Sequence, residues 1–280
     1  MTTIAHRQSE IEALEVDLLL EAVYRRYGYD FRSYARASLE RRLRQFLVGR
    51  NERRISELIP EVLRDEALFA KLALSFSIPV TEMFRDPPVY RALREQVVPL
   101  LRTYPFVKVW HAGCATGEEA YSLAIVLKEE DLCDRATIYA TDFNAEAIEK
   151  ARQGIYTVER MQEFTRNYQE AGGRRSLSEY YHARYNSAAL DAGLRDRITF
   201  ATHNLATDAA FGEMHLVMCR NVLIYFNREL QNRALRLFDE SLVRGGFLCL
   251  GTKETLQFSE AADGYEIVDR AARIYRKKMS

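Results

Sequence analysis

From Phe106 onward, short β-prone runs recur, each separated from the next by a helical or loop segment. The runs are FVKVW (106–110), TIYATD (137–142), ITFATHNL (198–205), HLVMCRN (215–221), FLCLGT (247–252) and the closing pair YEIVD (265–269) and RIYRK (273–277). Helical patterns connect several of them, among them EEAYSLAIVLKEE (118–130), NAEAIEKAR (144–152) and NRELQNRALRLFDESLV (227–243). Parallel strands need long crossover connections, usually helical, so this alternation predicts an α/β domain with a mostly parallel, doubly wound sheet. One stretch breaks the alternation. Residues 154–197 are too long for a simple connection and carry a turn at Gly172 and Gly173, which predicts a small inserted subdomain.

Upstream, residues 10 to about 103 follow the helical period instead. IEALEVDLLLEAVYRRYG (11–28) has helical apolar spacing and stops at Gly28, a natural C-terminal glycine. In FRSYARASLERRLRQFLVGR (31–50), Leu39, Leu43 and Phe46 make one stripe, with Arg41 and Arg44 off it and Arg36 at its edge. ISELIPEVLRDEALFAKLALSF (55–76) reads as two short helices, and Pro87 and Pro88 suit the first turn of another over VYRALREQVVPLL.

The formal net charge of the 280 residues is zero, so no global field draws the chain to nucleic acid or membrane. Locally, residues 20–54 hold ten arginines against four acids. That excess is either an ordinary solvated helix face or a docking surface for an acidic partner. Four cysteines (114, 133, 219, 249) form no CxxC pair and the five histidines are dispersed, so neither disulfide nor metal site is expected. No run approaches 18 apolar residues and the N-terminus lacks an apolar signal core. No direct membrane insertion is expected, and cytoplasmic residence is the default.

GCATGEEAYS (113–122) follows the first β-prone run, where a doubly wound sheet grips its cofactor. A dinucleotide loop reads GxGxxG. Here the spacing is Gly113–x3–Gly117, with no third glycine and no GK[ST]. Glu118 and Glu119 suit the helix dipole but would repel a pyrophosphate, whereas they tolerate or attract a cation. S-adenosylmethionine carries a sulfonium and an ammonium and no phosphate. Asp142, at the tip of the second β-prone run and 25 residues after Gly117, is placed to accept from both ribose hydroxyls. Each acid also has a plainer reading, Glu118 as a helix-start acid and Asp142 as the N-cap of the following helix. Together they favour an S-adenosylmethionine-binding, Rossmann-like scaffold.

The chain as a whole resembles the CheR-type chemotaxis receptor methyltransferases, which methylate glutamate side chains on receptor signalling helices. The resemblance rests on an ordered series: YDFRSYARASLERRL (29–43), VTEMFRD (80–86), GCATGEEAYSLA (113–124), ATDFNAEAIEKARQGIY (140–156), HNL (203–205) and CRNVLIYF (219–226). It implies an all-helical N-terminal domain over 1–90, a linker helix over 91–105 and an S-adenosylmethionine-dependent methyltransferase domain over 106–280, with a small β-subdomain inserted at about 156–197. It further implies that Thr81 and Arg85 reach the cofactor, that Glu118 contacts its methionine or ribose part and Asp142 its ribose. Asn204 and Leu205 would border the adenine, and Cys219, Arg220 and Asn221 would line the pocket. Tyr225 and Arg85 would lie nearest the transferred methyl. The basic second helix, with Arg36, Arg41 and Arg44, would dock on the acidic cytoplasmic helices of a methyl-accepting chemoreceptor. A monomer is expected.

Two departures stand out. Many relatives have Asn two residues before the Thr of VTEMFRD, where this chain has Pro79, and NSAALDAGL (186–194) lacks the basic, β-branched strand of members that bind a receptor C-terminal pentapeptide. Tethering to such a peptide is therefore not expected. A nucleic-acid methyltransferase would show a [DN]PPY motif where this chain has CRNVLIYF. A scaffold or S-adenosylmethionine-sensing module without transfer is the alternative from a different class.

Overall fold

A computed structural model describes residues 2–48, 50, 54–76, 81–257 and 259–279. By contact the chain divides into two compact units, Met1–Ile78 with Tyr225–Gln231, and Pro79–Ile224 with Asn232–Ser280.

The first unit is helical: α1 (Thr2–Tyr27), α2 (Arg36–Val48), α3 (Ile55–Val62) and α4 (Glu66–Phe76). Val16, Leu19, Leu20 and Val23 of α1 are buried, as are Leu39, Leu43 and Leu47 of α2. The expected stripe of Leu39, Leu43 and Phe46, at i, i+4 and i+7, is completed instead at i+8 by Leu47, and Phe46 is half-buried. α1 ends where Gly28 takes φ 76° and its amide reaches Tyr24 O at 2.8 Å. Arg42 is also buried, and its guanidinium donates to the carbonyls of Ser75 and Phe76 at the C-terminus of α4. A cation there satisfies carbonyls that the helix leaves open and suits the dipole.

In the second unit, α5 (Pro87–Ala92) and α6 (Val98–Leu101) flank a π-helical turn at Leu93–Val97. This stretch, divided by the sequence between a helical domain and a linker, contributes Tyr90, Leu93 and Val97 to the core of the second unit, and the segment before it adds Met83 and Phe84. The chain then runs through β1 (Val107–Ala112), α7 (Glu118–Glu129), β2 (Ala136–Asp142) and α8 (Ala145–Gln153). The insertion follows: β3 (Ile155–Thr157), α9 (Val158–Glu170), β4 (Tyr181–Arg184), β5 (Ser187–Leu190) and α10 (Ala192–Arg195). The main sheet resumes with β6 (Ile198–Thr202), β7 (Met214–Cys219), α11 (Arg228–Ser241), β8 (Leu242–Leu250), β9 (Tyr265–Asp269) and β10 (Ile274–Lys277).

The seven-stranded order is β6-β2-β1-β7-β8-β10-β9, parallel from β6 to β8 and antiparallel thereafter. From β1 the sheet grows outward in both directions, to β2 on one side and β7 on the other. That makes the C-terminal end of β1 a topological switch point, where open α/β sheets form their crevice. The insertion makes its own antiparallel sheet, β3-β5-β4. Among the described residues no helix is long and apolar enough to cross a membrane.

Candidate active site at the switch point

The loop after β1 is tied down before any side chain is considered. The amides of Gly113 and Cys114 both donate to Thr141 O at the end of β2, at 2.8 and 2.9 Å. Gly117 takes φ 92° as the N-cap of α7, and a Cβ there would stand 2.9 Å from that of Ala151. At Gly113 a Cβ would strike Val222 at 2.4 Å, so the loop also packs against the segment leaving β7. Glycine is required at both positions for close approach and for the left-handed backbone.

Asp142 closes this turn. Its carboxylate accepts from the amides of Ala115 at 2.9 Å and Asn144 at 3.0 Å. Asn144, and not Asp142, is the N-cap of α8, with Oδ1 accepting from Glu146 and Ala147. Burial pushes the Asp142 carboxyl up from its ordinary range, against those amide bonds. On the neighbouring strand, His203 N donates to Asp142 O at 3.0 Å, which sets Asn204 and Leu205 just beyond the same tip. The Asn204 amide is capped by Asp208 and its Oδ1 accepts from Ala206, while Leu205 is buried.

The two loop acids are both answered by arginines of the chain itself. Glu118 has no exposed surface; Oε1 meets Arg160 at 2.7 Å and Oε2 accepts from Thr116 at 2.6 Å. Burial pushes its carboxyl up, while Thr116 and Arg160 pull it back down. Glu119 is paired with Arg220, whose side chain is fully buried at the tip of β7. Arg220 also reaches Asp86 at 2.6 Å and Arg85 O at 3.0 Å.

Arg220 therefore anchors the segment 81–86 to β7. A second anchor comes from α7, where Ser122 Oγ accepts the amide of Phe84 at 2.9 Å. Phe84 and Asp86 both take φ 55°, a left-handed backbone that costs non-glycine residues of order 1–3 kcal/mol each unless the surroundings impose it. Thr81 is buried and Arg85 half-buried within this segment. Pro79 lies outside the described residues.

Beyond β7, Asn221 adopts φ 60° and its amide donates to Glu254 at 3.1 Å. Glu254 also accepts from the amides of Gly251 and Ile224, so one buried carboxylate organises the tips of β7 and β8. Asn221 Oδ1 has no hydrogen-bond partner among the described residues. Cys219 sits inside the sheet with 0% exposure, and burial raises its thiol well above the usual range.

In the second unit the structure brings Thr81, Arg85, Glu118, Asp142, Asn204, Leu205, Arg220 and Asn221 to the C-terminal ends of β1, β2, β6 and β7. Tyr225 belongs to the first unit, where its carbonyl accepts from Ala35 N at 2.7 Å and Arg42 stands over its ring at 5.1 Å. Of the basic residues on α2, Arg36 pairs with Asp17 and Glu40, and Arg44 with Glu12 and Glu40. The acids of α1 thus offset much of the charge that the segment 20–54 shows by itself. Arg41 is exposed. Sequence reasoning missed Arg160 and Glu254, which carry no motif of their own; the acid at 118, once buried, requires a partner such as Arg160, whereas nothing in CRNVLIYF signals Glu254.

Comparison with known proteins matches the same two regions. The model described as "CheR methyltransferase, SAM binding domain" matches residues 79–271, and "CheR methyltransferase, all-alpha domain" matches 14–76. The chain is 52% identical to Cher3 of Pseudomonas putida over 264 residues, covering 94% of this chain and 97% of that one. It is 32% identical to a chemotaxis protein methyltransferase of Listeria innocua, covering 88% and 92%. With Pseudomonas aeruginosa chemotaxis protein methyltransferase 1 the figures are 31% identity over 71% and 73%. Acid-fronted glycine loop, switch-point crevice and a match extending over both regions agree, and this chain belongs to the CheR methyltransferase family, with S-adenosylmethionine as its cofactor.

Proposed function

We propose that this chain transfers the methyl group of S-adenosylmethionine to glutamate side-chain carboxylates of a methyl-accepting chemoreceptor, giving glutamate methyl esters. The observation that carries the proposal is Glu118, a buried acid in the first turn of α7 where a phosphate-binding loop would receive its ligand. The residues fit the cofactor. Asn221 Oδ1 is a buried acceptor without a partner among the described residues, suited to a ligand rich in N–H and O–H donors. Asp142, which accepts from the amides of Ala115 and Asn144, keeps acceptor capacity on its carboxylate for a ribose hydroxyl.

When bound, S-adenosylmethionine supplies an electrophilic methyl on a sulfonium. The rest is positioning. A glutamate carboxylate, with an ordinary pKa near ~4.3, is ionised at neutral pH and is already a nucleophile. The protein needs to desolvate it and hold it in line, which is why neither a histidine nor a cysteine is required. In this proposal Thr81, Glu118, Asp142, Asn204, Leu205 and Asn221 hold the cofactor. Arg85 can bond a carboxylate through a charge-assisted pair, and Tyr225 can orient one through its hydroxyl. Arg220 and Cys219 support the pocket from within, given their full burial. A receptor substrate is our inference from relatives called chemotaxis protein methyltransferases, and the α2 arginines Arg36, Arg41 and Arg44 are the proposed docking residues.

Isothermal titration with S-adenosylmethionine and S-adenosylhomocysteine, followed by radiolabel transfer to receptor cytoplasmic fragments, tests this. Base-labile label that vanishes when receptor glutamates are changed to alanine is the expected result. Cofactor binding without transfer to any fragment would leave a sensing module instead.

A further inference from the structure

α9, the helix of the insertion, lies along the segment 81–83. Arg160 donates to Thr81 O and pairs with Glu118; Asn167, seven residues on, donates to Met83 O at 3.1 Å. Between them Glu163 faces Glu82, and burial with this like charge pushes the Glu82 carboxyl up. Positions 160, 163 and 167 share one face of a helix. The insertion is thus bonded to two places that the proposed function gives to the cofactor, Thr81 and Glu118. Arg160 also lines a cleft of about 260 Å³ with Glu118, Lys150, Tyr156 and Ser187.

We propose that Arg160 is a positioning residue for methyl transfer, its two arms fixing the Glu118 carboxylate and the Thr81 backbone in one geometry. The inference rests on the reading that Glu118 faces the cofactor. A carboxylate with no exposed surface stays ionised only if a partner offsets the lost hydration. Around Glu118 that partner is Arg160. The hydroxyl of Thr116 adds one neutral bond, and Tyr121, Tyr156 and Cys114 nearby are held neutral by burial. Lys150 lines the same cleft. Arg160 itself is 38% exposed on its side chain and arches over Phe164 at 4.9 Å, so it bridges surface to interior.

The test uses the full chain and S-adenosylhomocysteine titrations from mildly acidic to mildly alkaline pH, with Arg160→Gln, Arg160→Lys, Glu118→Gln and the double variant. Without Arg160, Glu118 takes up a proton more readily. Affinity in Arg160→Gln should fall about tenfold at the acidic end, and the gap should narrow as pH rises and Glu118 ionises. Arg160→Lys should restore affinity at the acidic end but, lacking the second arm to Thr81, leave turnover below that of the unaltered chain. The double variant should be no weaker than Glu118→Gln. Unchanged affinity and turnover in Arg160→Gln, with Glu118→Gln impaired, would overturn the proposal alone. A loss independent of pH and not rescued by lysine would also overturn it, as a packing effect. Unchanged affinity in Glu118→Gln would instead remove the underlying reading of Glu118.

Discussion

Arg220 Nη2 lies 2.6 Å from Asp86 Oδ2, joining the tip of β7 to the turn that follows Arg85. The other arm takes Glu119 and the Arg85 carbonyl, so a single buried guanidinium holds together three parts of the sequence. Removing one partner of a buried pair leaves the other charge without compensation, at about 3–5 kcal/mol. Arg220→Met should therefore lower the thermal midpoint strongly, and adding Glu119→Gln should recover part of the loss. Thermal melts of the single and double variants check this, the cycle reading out the coupling. Asp86→Asn keeps the fold's shape but weakens the clamp on Arg85, and methyl transfer should drop more than cofactor affinity.

Glu254 accepts from the backbone amides of Asn221, Ile224 and Gly251, among others, at the tips of β7 and β8. Glu254→Ala leaves these without a partner and should cost on the order of 1–3 kcal/mol for each that water cannot reach. The pH dependence has a definite sign. Burial raises the carboxyl of Glu254 in the folded protein. The folded state then binds the proton more tightly than the unfolded one. Its contribution to stability is full below the ordinary carboxylate range, near pH ~4.3, and is lost as pH rises through the raised value. Glu254→Gln cannot titrate. The difference in thermal midpoint between the unaltered chain and Glu254→Gln should therefore shift against the unaltered chain as pH increases through that window.

The contrast between Glu118 and Glu254 shows what a sequence discloses. The β-α alternation, the glycine loop with its two acids and the acid ending TIYATD are all local signals, and each marks an element where the structure has one. Partners of the buried acids are not local. Arg160 lies 42 positions from Glu118, and Arg220 lies 101 from Glu119. Nothing in periodicity or spacing links residues so far apart. The same limit applies to α2: its arginines stand out in a window of 35 residues, while Glu12 and Asp17, outside that window, pair with them. Asp142 was open to two readings because NAEAIEKAR begins two residues later. Asn144 is the cap, its Oδ1 accepting from Glu146 and Ala147, so Asp142 does not have that role.

Asp142 and Arg85 should separate binding from transfer. Asp142→Ala removes both the proposed ribose acceptor and the bond to Ala115 N, so cofactor affinity should fall by roughly one to two orders of magnitude, as expected for a charge-assisted pair of bonds. Arg85→Ala should reduce turnover about 10²-fold with affinity nearly kept, the mark of a group that aligns the reacting carboxylate. Titration with S-adenosylhomocysteine beside single-turnover transfer distinguishes the two. Equal losses in both assays for Arg85→Ala would make it a binding residue, and unchanged affinity in Asp142→Ala would take that acid out of the site.

Charge reversal on α2 should not act uniformly. Arg44 is paired with Glu12 and Glu40 on an exposed face, where such bridges are worth at most about 1 kcal/mol and salt screens them. Arg44→Glu frees both acids as well as adding one, so it changes the local field by more than its own charge. Arg41 is exposed, and no ion pair joins it to another described residue, so its charge is available to an acidic partner. Arg41→Glu should raise the KM for a receptor fragment several-fold at low salt while leaving kcat and cofactor affinity in place, because a docking charge acts on encounter and not on chemistry. The effect should fade as ionic strength rises. A KM that does not move with either substitution at low salt would return this face to plain solvation. A kcat that falls with KM unchanged would instead place the α2 arginines in alignment of the substrate carboxylate.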